Sequence, residues 1–143
     1  MAEAFLSGGD KIAVNKAIES AERNTSGEIR VHLDNSLTDD PYKTAVSVFE
    51  RIGMTETKLR NGVLFYVCVP SRKFAVIGDR GINEKVGEDF WTDVAAELSK
   101  AFSAGLYLDG LVRSIELAGA KLKEFFPYQQ DDRNELTNEI SEE

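Results

Sequence analysis

The stretch Asn61–Gly81, NGVLFYVCVPSRKFAVIGDRG, constrains the fold of this chain more than any other. Two apolar runs, Val63–Val69 and Phe74–Ile77, are separated only by Pro70-Ser71-Arg72-Lys73. Such β-branched and aromatic runs fit a pleated surface, and the tight polar joint reverses the chain, so the pattern predicts a β-hairpin. A turn at Pro70-Ser71 sets Gly62 opposite Asp79 and Asn61 opposite Arg80. Backbone amides, an amide side chain and a carboxylate then meet at one edge of a sheet, where a small site is expected.

Apolar periodicity places the rest. Ser7 or Asp10 caps a first helix ending near Arg23, with Ile12, Ala17, Ile18 and Ala21 on its buried stripe. Asn24-Thr25-Ser26-Gly27 stops it. The segment EIRVHLD reads as a strand, with Ile29, Val31 and Leu33 on one face. Glu28, Arg30, His32 and Asp34 lie on the other, which is expected to be only partly covered. Pro41 starts a second helix with the stripe Tyr42, Ala45, Val46, Phe49 and Ile52. After the hairpin, Trp91, Val94, Ala95, Leu98 and Phe102 form a third stripe. A fourth helix, capped by Asp109, carries Leu111, Ile115, Ala118, Leu122 and Phe125 up to Pro127.

The order α-β-α-β-β-α-α makes the first two strands parallel through a right-handed crossover, and the hairpin adds an antiparallel third. The expected fold class is α/β, a three-layer α/β/α sandwich with a small mixed sheet and helices on both faces. A chain of 143 residues suits a single domain, here 1–127. Residues 128–143, YQQDDRNELTNEISEE, are acidic and poor in apolar side chains, so a disordered tail is expected.

Twenty-five acidic residues against seventeen basic ones leave a net charge of −8. Nucleic acid and anionic membrane surfaces repel such a chain unless a basic patch is segregated, and none is visible. Divalent cations or a basic protein partner are accommodated; simple solubility explains the same surplus. The opening MAEAFLSGGDKIAV lacks a basic start followed by an apolar stretch, and no window is apolar enough to insert in a bilayer. A cytoplasmic protein is expected. Cys68 is the single cysteine and falls in an apolar run, so a buried, inert thiol is expected.

The topology gathers carboxylates at two rims. Glu28, Asn61 and Asp79 share one, with Glu88 or Asp89 reaching in from the start of the third helix. Calcium takes six to eight oxygens, whereas magnesium keeps most of its water and needs only one or two carboxylates. Glu28, Asn61, Asp79 and Asp89 are therefore the candidate metal ligands; alternatively Asp79 binds turn amides and pairs with Arg80 or Arg60. Asp34, Asp39, Asp40 and Asp109 gather with Arg72 at the other rim, beyond the strands' carboxyl ends. Asp40 and Asp109 are equally explained as helix caps. No EF-hand loop, P-loop, G-x-S-x-G elbow or phosphate-cradling cysteine loop occurs, and Asp34 lacks the second aspartate of an aspartyl-phosphate pair. His32 is the only histidine, so no histidine pair holds zinc. It is expected to be partly covered and paired with Asp34 or Glu28.

Thr25-Ser26-Gly27-Glu28-Ile29-Arg30-Val31, then Asn61-Gly62-Val63-Leu64 and Gly78-Asp79-Arg80-Gly81-Ile82, resemble the TPM domain family over residues 7–126. The resemblance implies an α/β/α sandwich, divalent-cation binding and, for some members, acid phosphatase activity. The family's Gly-Asp-Tyr before the last helix stands here as Gly105-Leu106-Tyr107, so no role of that aspartate carries over. The expected function is an accessory or binding module that holds Ca2+ or Mg2+ at loop carboxylates. The alternatives are a metal-dependent acid phosphatase acting on phosphate esters, implied by the resemblance alone, and a protein-interaction module without catalysis. For the last, Phe125-Phe126-Pro127-Tyr128 is a candidate aromatic dock if its rings are exposed.

Overall fold

Ser7 opens the first helix, α1 (Gly8–Glu22), through a reciprocal capping box. Its Oγ accepts from the Asp10 N–H at 3.0 Å, and the Asp10 carboxylate accepts from the Ser7 N–H at 3.0 Å. The computed structural model describes residues 5–128 and 140–142. Strand β1 (Glu28–Asp34) follows, then α2 (Pro41–Arg51), capped by Asp40, which accepts from the Lys43 N–H at 3.0 Å. The hairpin strands are β2 (Gly62–Cys68) and β3 (Lys73–Gly78). Beyond them come a single helical turn, α3 (Arg80–Asn83), and two long helices, α4 (Thr92–Ser103) and α5 (Tyr107–Phe125). A short strand, β4 (Ser141–Glu142), closes the described chain.

The sheet order is β3-β2-β1-β4. β1 runs parallel to β2 with Glu28 beside Gly62, and β2 pairs antiparallel with β3, Val63 facing Gly78. This is the register the hairpin turn predicts, because loop length alone sets the pairing. β2 is buried at every position. Its alternate residues supply two cores. Val63, Phe65 and Val67 join Ile29, Val31 and Leu33 beneath α1, α4 and α5, while Leu64, Tyr66 and Cys68 meet Ala45, Val48 and Phe49 of α2. The fold is the three-layer α/β/α sandwich. Each buried large apolar side chain contributes about 1.5–3 kcal/mol, so these two cores, not the polar rims, hold the domain together.

Three sequence expectations are corrected. Ile12, Tyr42 and Val46 are not core residues; they are 58%, 63% and 40% exposed. α1 buries Val14, Ala17 and Ile18, and α2 buries Ala45, Val48 and Phe49. The α2 sequence holds apolar residues at two overlapping helical phases, and contact with the sheet selects the one containing Val48. The second face of β1 is also better covered than expected, with Glu28 at 3% and His32 at 0% exposure. Finally, α5 begins at Tyr107, so Asp109 lies within its first turn and is not its cap. The disordered-tail expectation for 128–143 falls mostly on residues 129–139 and 143, outside the described residues. Ser141–Glu142, however, is a strand paired with β1.

Candidate functional site

The first rim is where α1 ends and where β1 and β2 begin. Here the turn after α1 clasps the end of α5. Thr25 Oγ1 and the Ser26 N–H both donate to the Phe126 carbonyl, the latter at 2.9 Å. The Thr25-Ser26-Gly27 motif is thus a structural joint that fixes where Glu28 starts its strand.

Asn61 is 1% exposed and bridges three segments. Its N–H donates to Thr57 Oγ1 at 3.1 Å, its Nδ2 donates to Ser26 Oγ at 3.3 Å, and its carbonyl accepts from the Glu28 N–H at 3.3 Å. Glu28 and Asn61 are therefore neighbours, as the topology predicts. Asp79 sits across the hairpin, its N–H donating to the Gly62 carbonyl at 2.9 Å. Its carboxylate is held by Arg60, which donates from Nε to Oδ2 at 2.7 Å and from Nη2 to Oδ1 at 2.9 Å. Oδ1 also accepts from the Arg80 N–H at 2.7 Å. The alternative reading of Asp79, as a turn-binding carboxylate paired with Arg60, is the geometry observed. This pairing holds the Arg60 guanidinium above its usual pKa.

Arg60 takes a left-handed backbone, φ 51°. Its carbonyl accepts from the Gly81 N–H at 2.9 Å. A Cβ at Gly81 would stand 2.1 Å from the Leu59 carbonyl oxygen and 2.6 Å from that of Arg60. Only glycine permits this approach.

Asp89 is exposed on the 3-10 turn Glu88–Trp91. The Glu88 side chain lies outside the described residues. Among the described residues, no three His, Cys, Asp or Glu side chains stand close enough to hold a metal ion. Glu28 and Asn61 meet, but Asp79 faces a guanidinium, so the four expected ligands do not form one donor set.

Glu22 is the residue that sequence reasoning missed. Its Oε2 accepts from the Ile29 N–H at 2.7 Å, closing the first amide on the outer edge of β1. Burial pushes the Glu22 carboxyl up to about 8, against the pull of that N–H, with the neighbouring charges of Glu28 and Glu19 adding to the rise. Only the tight turn at 24–27, which folds the end of α1 back on β1, hints at this meeting in the sequence.

The opposite rim is made differently. Asp34 accepts from Tyr66 OH at 2.6 Å and from the Ser36 N–H at 2.9 Å, while Asp40 caps α2. Asp39 and Asp109 are exposed. Arg72, in the hairpin turn, lies over the rings of Phe5 and Tyr107 at 5.1 and 5.0 Å. Buried Cys68 donates to the Ser36 carbonyl at 3.2 Å, and His32 Nδ1 lies 2.7 Å from Ser141 Oγ, so the expected partly covered histidine is fully enclosed. Of the aromatic rings near the end of α5, Phe126 is buried, Phe125 half-buried and Tyr128 exposed, so no exposed multi-ring dock forms there.

Among the described residues no helix is long and apolar enough to cross a membrane. The fold is similar to that of the BA42 protein from the psychrophilic bacterium Bizionia argentinensis, solved by NMR. That structure is 44% identical, with a TM-score of 0.91, over 97% of this chain and 96% of BA42. No curated protein matches the chain. The family model described as the TPM domain matches residues 2–121, so the clasped turn, the NGVL hairpin and its glycine-bound exit stand within a recognised unit, and the chain belongs to the TPM domain family.

Proposed function

We propose that this TPM domain is a non-catalytic accessory module that binds a hydrated divalent cation at its first rim. The observation supporting this reading is the Glu22 acid, raised to about 8 by burial with Glu28 nearby. A site that resists a second negative charge is one where a cation replaces the proton favourably. Glu22, Glu28 and the Asn61 amide supply the oxygens. Two carboxylates suit Mg2+, which retains several waters, better than Ca2+, which takes six to eight oxygens. Asp79 stays with Arg60, and Asp89 lies outside the set.

The proton and the cation compete for Glu22, so affinity rises with pH up to about 8. An NMR titration with Mg2+ and with Ca2+, at pH 6 and at pH 8.5, tests the proposal. Amide shifts at Glu22, Glu28, Ile29 and Asn61, stronger at the higher pH and lost in Glu22→Gln, are expected. Silence at these positions with millimolar metal at both pH values would overturn it.

A further inference from the structure

The last described residues return to the edge of the sheet. Ser141 and Glu142 run parallel to β1, beside His32 and Leu33 respectively. Their side chains alternate as a strand requires. Ile140 packs on the core beneath α1, α4 and α5. Ser141 Oγ lies 2.7 Å from Nδ1 of the fully buried His32. Both Glu142 carboxylate oxygens accept from Lys11 Nζ of α1, at 3.1 and 2.9 Å. Three consecutive residues are read by three chemistries: an apolar surface, a buried ring nitrogen and an ammonium.

Among the described residues, β4 pairs with His32 and Leu33 of the seven residues of β1. On one side the edge is closed by the Glu22 carboxyl on the Ile29 N–H, which limits the receiving stretch to Val31–Asp34. The Lys11–Glu142 pair is more than one-third exposed on each partner, so it is weakly held.

We propose that Val31–Asp34 is a strand-docking edge for a partner polypeptide, and that Ile140-Ser141-Glu142 occupies it in cis. The partner presents an apolar, a hydroxyl and an acidic residue in consecutive extended positions, parallel to β1. Main-chain pairing supplies binding at such an edge, and alternate side chains supply specificity. Lys11 favours an acid and repels a base; His32 accommodates a small hydroxyl. Being part of the same chain, the cis segment competes intramolecularly with an incoming strand. This inference is independent of the cation site.

The full-length chain tests it, with a synthetic peptide of its own residues 136–143 as probe. The peptide is expected to bind an S141A/E142K chain about tenfold more tightly than the wild type, because the cis competitor is weakened. Amide shifts are expected at Lys11, His32 and Leu33, and a peptide carrying E142K does not bind. In the wild type, saturating peptide accelerates hydrogen exchange at residues 140–142 while Val31–Asp34 stay protected. Absence of binding to both chains, equal affinity for both, or unchanged exchange at 140–142 would each overturn the proposal. A wild-type dimer whose dissociation shifts the same residues would also overturn it, assigning the edge to a second copy.

Discussion

Arg60 and Arg72 both hold a left-handed backbone, at φ 51° and 59°, and they stand at opposite rims of the same sheet. A non-glycine residue in this region costs about 1–2 kcal/mol, so each needs a compensating side-chain contact. Arg60 finds it in the carboxylate of Asp79. Arg72 finds it between Phe5 and Tyr107, with its Nη1 donating to the Val69 carbonyl. The same backbone problem is met by charge at one rim and by aromatic faces at the other. The first rim also holds Glu22 and Glu28, so its charge depends on pH. At the second, Asp40 caps a helix and Asp34 receives a tyrosine hydroxyl, which commits these two acids to structure.

The largest break in this comparison comes from Gly81→Ala. The new Cβ meets two carbonyl oxygens at 2.1 and 2.6 Å, forcing the Leu59–Arg60 backbone apart. Urea unfolding should show a loss of about 4 kcal/mol, the range of severe backbone clashes. Asp79 and Arg60 separate with it, whereas the Arg72 rim keeps its contacts.

A smaller effect distinguishes the rims by pH. The Glu22 carboxyl has a folded pKa of about 8 against an ordinary 4.5. The folded state therefore holds a proton that the unfolded chain releases between those values. This contribution is full below pH 4.5 and is lost as pH rises towards 8, by a few kcal/mol in all. Denaturation across this window should show a negative slope that Glu22→Gln removes. If Mg2+ binds as proposed, it restores stability selectively above pH 8.

The finest distinction is salt. Asp79→Asn keeps the size of the cap but loses the charged pair, and costs about 1–2 kcal/mol. Arg72→Ala loses two ring contacts and costs about 1 kcal/mol. Molar salt should shrink the first difference and leave most of the second, since screening acts on the partly exposed guanidinium–carboxylate attraction more than on close ring packing. Equal salt responses in the two variants would mean that the rims are not chemically distinct.

Much of the architecture is legible in the linear chain. The Pro70-Ser71 turn sets the β2–β3 register without help from the rest of the molecule, and Ser7 with Asp10 announces the start of α1. The α2 stripe is not legible, because Tyr42, Val46 and Val48 offer competing apolar phases of comparable hydrophobicity. At the candidate site, Glu28 and Asn61 are brought together by strand order, which the sequence implies. The sequence offers Arg80 or Arg60 as the partner of Asp79; the left-handed backbone at Arg60, which no local signal marks, goes with the choice of Arg60. Glu22 escapes notice because a helix end carries no sign of the strand amide it will meet.

Local pattern determined the periods of this protein: where the main helices and the first three strands run, and which way the hairpin pairs. These follow from interactions within a few residues, which any window of the chain contains. Packing alone decided the rotation of α2, the proton on Glu22, the partners of the two left-handed arginines, and the return of Ser141 to His32. Each depends on burial or contact between segments far apart in the chain, and those energies exist only once the layers have closed.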